Sequence, residues 1–354
     1  MKISEAIKLM KEIVGYNMEV AIQGKDHGQF VVPYFEGEPG VGKTAIAAQV
    51  CREMDIWHNN IIVAQYDPGI LSGLDIPDKD ENGKMYMKKI RPAYLPNPEI
   101  KEQNTGIMCL DELAQGFLMH QNIMAQLVNE WRINRHLIPL GITICATGNS
   151  AKHKAGTTPM PAHLKDRLST FKIENDTEEW LNNFAIPNGL DFRVRSYIRE
   201  FPGKLQMFDP KADTCPTCRS WDKVSTWMKM GLTGKIRTEA IQATIGNDIG
   251  TEFETWLRYE ERLPKAEDIL KSPLTAPVFD KPKDISLNYL ILANLADRAN
   301  EKNIEPMSKY VTRIPQAELL AWWLKDTLGQ HSNLKKNKVI TDLKMKHVAK
   351  LVAE

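Results

Sequence analysis

What this sequence has little of narrows the reading first. No stretch reaches the roughly 18 to 20 apolar residues of a membrane span, so no helical membrane anchor is expected. The net charge is only +1, so no global basic field draws the chain to nucleic acid, and such a partner would need a local patch. There are only five cysteines. Cys51, Cys109 and Cys145 stand alone in apolar surroundings and read as small core residues. Cys215 and Cys218 form a CxxC, but a structural zinc site wants four ligands and no second CxxC or HxxxH accompanies the pair. A turn before a helix is the plain reading, and a metal or redox role the sharper one. Internal repeats and low-complexity tracts are also lacking.

What is present is an ordinary globular composition, 42% hydrophobic and 26% charged over 354 residues, enough for two or three domains. At the N-terminus Ile3, Ala6, Ile7, Met10, Ile13 and Val14 fall at helical spacing, interrupted by charges. That pattern reads as an amphipathic helix and not a signal peptide, and a cytoplasmic protein is expected. From about residue 30 to 175, short apolar runs alternate with helical segments. Strands are expected at 31–35, 61–65, 107–110, 142–146 and 170–173, with a helix at 44–54. Alternating strands and helices predict an α/β core with a parallel sheet covered on both faces. Beyond residue 173 the character turns helical. The charged, proline-bearing stretch 263–282 looks like a linker or long connection, and further helical sequence follows. Boundaries are therefore expected near residues 175 and 265.

Gly37-Glu38-Pro39-Gly40-Val41-Gly42-Lys43-Thr44 fits the P-loop pattern G-x-x-x-x-G-K-[ST]. Glycines let backbone N–H groups turn inward around phosphates, and the following helix adds the positive end of its dipole. Lys43 would reach the β- and γ-phosphates of ATP, and the Thr44 hydroxyl would hold Mg²⁺. Downstream, Ile107-Met-Cys-Leu110 is an apolar strand ending in Asp111 and Glu112, a Walker B pattern. Asp111 would orient the Mg²⁺ coordination sphere and Glu112 would polarise the attacking water. A small-molecule kinase has no need of that Glu, so the pair favours an ATPase.

Four further stretches fall in line, and with them the chain resembles the AAA+ ATPases of the MoxR type, the helix-2-insert clade. Ile142-Thr-Ile-Cys-Ala-Thr-Gly-Asn149 resembles the sensor 1 strand, with Asn149 helping to hold the water. Leu164-Lys-Asp-Arg167-Leu168 resembles the arginine-finger segment, though the family usually has Phe after the Arg. Thr217-Cys-Arg219-Ser-Trp221 looks like the sensor 2 segment, with Cys218 where the family usually has Pro. Arg91-Pro-Ala-Tyr-Leu95-Pro96 and the preceding hairpin belong to the likeness, which extends more faintly through 284–326.

The resemblance implies a P-loop core over 1–175 with a five-stranded parallel sheet of order 5-1-4-3-2. It also implies an α-helical lid over 176–265 and a helical C-terminal segment over 266–354. It implies a ring, expected to be hexameric, with ATP between subunits and Arg167 facing the nucleotide bound by a neighbour. Arg219 would sense the γ-phosphate from the lid. A partner bearing a von Willebrand factor A domain is common for such families.

Two local features bear on what the energy is used for. Asn82-Gly83 is a strong hairpin signal, and a hairpin near 75–92 would correspond to the helix-2 insert, with Met85, Tyr86 and Met87 available to grip a client. Residues 331–354 carry six lysines against two acids, read either as a solvated helical face or as a tail for nucleic acid or a partner. The leading expectation is a chaperone that remodels a partner protein. A nucleic-acid motor or loader is the alternative, and a non-hydrolysing switch is disfavoured by Glu112, Asn149 and Arg167.

Overall fold

Two runs of apolar sequence, Thr105–Asp111 and Gly141–Gly148, are buried along almost their whole length and form the middle of a sheet. The structure is a computed structural model that describes residues 1–25, 27–149, 158–279 and 284–348. The chain divides into two compact units, Met1–Asn175 and Asp176–Glu354.

In the first unit, β1 (Pro33–Glu36), β2 (Trp57–Ile62), β5 (Thr105–Asp111), β8 (Gly141–Gly148) and β9 (Ser169–Lys172) make one parallel sheet. Two antiparallel hairpins interrupt the sequence: β3 (Asp75–Lys79) with β4 (Met85–Lys89), and β6 (Arg132–Ile133) with β7 (His136–Leu137). The sheet order is β2-β5-β8-β1-β9. The expected 5-1-4-3-2 does not match this numbering because the hairpin strands lie outside the sheet. Counted among themselves along the chain, the sheet strands do stand 5-1-4-3-2 from the β9 edge.

Side chains alternate between faces with the period of two that a strand imposes. Phe35, Ile107, Cys109 and Cys145 face one core cluster with Met10, Val14, Ile46 and Val50, which come from α1 (Ile3–Ile22) and α2 (Lys43–Met54). Tyr34, Met108, Leu110 and Ile144 face the other, with Leu71 of α3 (Pro68–Ser72), Leu127 of α4 (Leu118–Glu130) and Leu164 of α5 (Ala162–Lys165). Burial pushes the Cys51 thiol up to about 12. The Cys109 thiol is raised by its hydrogen bond to Cys145 and by burial. These thiols are therefore core residues without nucleophilic character.

One strand departs from expectation. The apolar run 61–65 was to be the strand, yet the ladder is carried by the more polar Trp57–Ile62, and Val63–Gln65 turns away. β2 is an edge strand, where polar side chains find partners: the Asn59 amide donates to the Tyr94 carbonyl at 2.8 Å.

The second unit is helical. Its elements are α6 (Thr177–Trp180), α7 (Phe192–Glu200), α8 (Cys218–Lys229), α9 (Gly234–Ile245), α10 (Asn247–Leu257), α11 (Ala266–Lys271), α12 (Ile285–Asp297), α13 (Ile304–Val311), α14 (Ala317–Gln330) and α15 (Lys338–Leu343). Tyr197, Trp221, Phe253 and Trp256 pack in one cluster, Phe253 and Trp256 stacked and the other pairs edge to face or tilted, with Leu290 of α12 among them. The lid and C-terminal segment expected from sequence thus share a packed body. The stretch read as a linker is held too: the Tyr310 hydroxyl donates to the Pro277 carbonyl, and Arg313 to those of Pro273 and Ala276. In the lysine-rich tail Leu334, Ile340 and Leu343 are buried while Lys335, Lys336, Lys338, Lys344 and Lys346 are exposed. That is the pattern of a solvated helical face.

Arg195 of α7, only 1% exposed, donates to Asp326 of α14 and Asp297 of α12, cross-linking three helices. Both carboxyls are raised by burial, which outweighs the guanidinium. Arg195→Met leaves the buried Asp326 and the partly exposed Asp297 without their cation and is expected to cost about 3–5 kcal/mol at neutral pH. A carboxyl raised in the folded state holds its proton longer there than in the unfolded chain. Stability therefore falls as pH rises from the ordinary carboxylate range through the raised value. The deficit of the variant in urea unfolding should accordingly shrink as pH is lowered toward the ordinary carboxylate range.

Candidate functional site

The phosphate-binding candidate forms where β1 ends and α2 begins. Gly40 and Gly42 take φ of +83° and +101°, backbone that an L side chain would strain. Gly37 is pressed between neighbouring strands: its N–H donates to the Gly148 carbonyl at 3.3 Å, and an added Cβ would lie 2.8 Å from the Ile173 carbonyl oxygen. No side chain caps α2, whose first N–H groups therefore face the loop it leaves. Glu38, Pro39 and Val41 complete the turn, with Val41 anchored in the core beneath it.

Lys43 is buried within this turn. Its ammonium donates to the carbonyls of Gly37 at 2.9 Å and Glu38 at 2.7 Å, and to Asn149 Oδ1 at 3.0 Å. The loop thereby meets the end of β8, 106 residues away in sequence.

The second centre is Asp111, at the C-terminal end of β5. Its carboxylate accepts from the Thr44 hydroxyl at 3.1 and 3.2 Å, from the Asn60 amide at 3.3 Å, from the Glu112 N–H at 3.2 Å, and from the Thr147 hydroxyl. Four elements of the sheet layer converge on one acid. A hydroxyl and a single carboxylate suit Mg²⁺, a hard ion that keeps waters and takes phosphate oxygens as further ligands. Glu112 follows in left-handed backbone, φ +54°, and is half-buried. Its carboxylate makes no hydrogen bond with a described residue.

The structure thus brings together Gly37 through Thr44, Asp111, Glu112 and Asn149 at the C-terminal edge of the sheet, where open α/β folds bind ligands. It does not bring Arg167 to them. Arg167 is exposed in the turn between α5 and β9 and bonds to none of these residues. Arg219 belongs to the second unit, exposed in the first turn of α8. The replacement of proline by Cys218 does not disturb that turn. The Thr217 hydroxyl accepts from the Ser220 N–H at 3.1 Å, and the Ser220 hydroxyl accepts from the Thr217 N–H at 2.7 Å. This reciprocal cap fixes the helix start. Cys218 is buried in the helical core and Cys215 half-buried. No group of three or more His, Cys, Asp or Glu among the described residues is arranged to hold a metal.

Two positioning side chains escaped the sequence reading. Thr147 lies in β8 two residues before Asn149, which follows the strand's last residue, and its hydroxyl donates to Asp111. Asn60 lies in the polar run passed over as non-strand, and its Oδ1 is buried without a partner in the structure.

No protein-family model matches the chain, and no curated protein matches it. Solved structures to which it is similar include NtrX from Brucella abortus in complex with ATP, at TM-score 0.36 and 12% identity. That match covers 97% of this chain and 66% of the other. The closed state of Hsp104 with ATPγS and FITC casein is similar at TM-score 0.36 and 14% identity, over 69% of this chain and 45% of that one. The chain therefore spans less than two thirds of the length of either. At these TM-scores the likeness carries no weight, and the reading of the site rests on its geometry.

Proposed function

We propose that this chain is an ATP-hydrolysing AAA+ ATPase of the MoxR type, a ring-forming chaperone that remodels a partner protein. The observation that carries the proposal is the convergence of Thr44, Thr147 and Asn60 on Asp111, with Lys43 bonded to Asn149.

Lys43 and the N–H groups of the glycine turn would bind the β- and γ-phosphates, and Thr44 with Asp111 would hold Mg²⁺. When bound, the ion neutralises charge on the phosphate oxygens. Glu112, unbonded and beside the metal ligands, takes the proton as a water oxygen attacks the γ-phosphorus. The bond to the β-phosphate oxygen breaks, giving ADP and phosphate. Asn149 orients that water. In a hexamer Arg167 would reach the pocket of the neighbouring subunit, and its exposure suits that role. Arg219 would report the γ-phosphate from a lid at 176–265, with 266–354 as an adjoining helical segment. A partner with a von Willebrand factor A domain fits this reading, as does a cytoplasmic location. No described helix is long and apolar enough to cross a membrane.

The working surface would be the hairpin of β3 and β4, whose Met85, Tyr86 and Met87 are 57%, 41% and 62% exposed. Large apolar side chains exposed together mark a contact site. The test compares turnover with a reduced, carboxymethylated unfolded protein and with single-stranded DNA, each at two salt concentrations. The unfolded protein should raise the rate and DNA should leave it unchanged. Changing Met85, Tyr86 and Met87 together to Ala should remove the stimulation while basal turnover stays within about twofold, since the hairpin contributes nothing to the Asp111 centre. Salt-sensitive stimulation by DNA, lost on deleting 331–354, would instead establish the motor or loader.

A further inference from the structure

A groove of about 450 Å³ opens in the second unit, with Tyr197, Phe201, Trp256 and Tyr259 among its lining. It is open and shallow, a surface on which a chain segment could lie. The polar tips of its floor are already taken. The Tyr197 hydroxyl donates to Glu252 at 2.8 Å and the Trp256 indole N–H donates to Glu200 at 2.9 Å; Tyr197 is fully buried and Trp256 only 5% exposed, so the aromatic surface offered to an occupant comes from the half-buried Phe201 and Tyr259.

The rim is cationic. Arg258 lines the groove, is exposed, and makes no hydrogen bond or ion pair with a described residue. Arg262 lies 5.7 Å above the Tyr259 ring and is paired with Asp284 at 3.4 Å, which leaves Arg258 as the cation this rim offers. The one acid in the lining, Glu252, is already neutralised by Lys204 at 2.8 Å. Glu260 is held by Arg193, and Glu261 does not line the groove. An apolar aromatic floor under an uncompensated guanidinium calls for an occupant that is apolar and negative at neighbouring positions.

We propose that the groove receives a peptide segment of a partner protein in which a large apolar side chain adjoins a carboxylate. The side chain lies on the aromatic floor, where ring contacts add to the burial of apolar area. The carboxylate meets Arg258, whose planar fork matches it with two parallel N–H donors.

Binding is measured on the full chain without nucleotide, so the result stands apart from any question of hydrolysis. Fluorescence anisotropy would follow three labelled hexapeptides: Gly-Ser-Phe-Glu-Gly-Ser, the same with Lys for Glu, and the same with Ala for Phe. The Phe-Glu peptide should bind at least about tenfold more tightly than either, a difference of about 1.4 kcal/mol. Arg258→Glu should weaken it by about tenfold or more and Arg258→Lys by less, since only the charge is then kept. Thr255→Trp, filling the groove from its exposed rim, should also abolish binding without altering charge. Both positions changed, Thr255 and Arg258, are exposed, and unchanged helical circular dichroism would confirm folding. Equal binding of the three peptides, or full binding by Arg258→Glu, would overturn the proposal. So would tighter binding of free phenylacetate or of an oligonucleotide.

Discussion

Glu112→Gln is expected to bind ATP as the native chain does and to lose roughly 10²- to 10⁴-fold in turnover, the range for a general base. The amide keeps the size of the side chain and leaves Thr44, Asn60 and Thr147 on Asp111 undisturbed, so the pair proposed to hold the metal survives. What is lost is the capacity to take a proton from water. Lys43→Ala should differ in kind. Its ammonium bonds to the carbonyls of Gly37 and Glu38 and to Asn149, so its loss removes the phosphate partner and loosens the loop together. Thermal unfolding separates the two. A ligand at about 100 times its Kd stabilises by about 2.7 kcal/mol, so ATP with Mg²⁺ should raise the Tm of Glu112→Gln and leave Lys43→Ala unmoved. If both variants lost the shift equally, the roles of Asp111 and Glu112 would be misassigned.

Arg167→Ala should fall by a comparable or larger factor, about 10³ to 10⁵, the contribution of a guanidinium that stabilises charge in the transition state. Nothing in a single subunit accounts for such a loss, because Arg167 is exposed and bonded to none of the pocket residues. The decisive experiment mixes it with Glu112→Gln. Each is inactive alone, but at equal amounts about one quarter of head-to-tail ring interfaces would pair an intact Glu112 with an intact Arg167. Partial recovery is therefore expected. Mixed rings verified by native mass spectrometry and still silent would show that Arg167 does not act across subunits.

How much of this was legible in advance depended on how local the signal was. The glycine turn was readable because positive φ at Gly40 and Gly42 restricts the residue type at each position. The buried strands were readable because burial on both faces demands apolar runs. Asn60 was missed for the converse reason. An edge strand tolerates His58, Asn59 and Asn60, so its hydrophobicity gives no warning that it pairs with β5. The start of α8 was read from the likeness around Arg219 alone, and the Thr217–Ser220 cap that fixes it, with Cys218 where the likeness expects proline, emerged only from the structure. The Arg195 cluster was beyond reach. Its partners lie 102 and 131 residues away, and no local pattern distinguishes a buried arginine from a solvated one.

The backbone of Glu112 has an evolutionary side. A side chain held at φ +54° costs on the order of 1 kcal/mol that glycine would not incur. Selection for stability alone would drift this position toward glycine, and the same step would delete the proposed general base. The tension means that stabilising sequence design applied to this chain without a functional constraint would be drawn to the residue after Asp111 that the proposed turnover needs. A thermally hardened descendant carrying glycine there would be expected to hold ATP and release it unchanged.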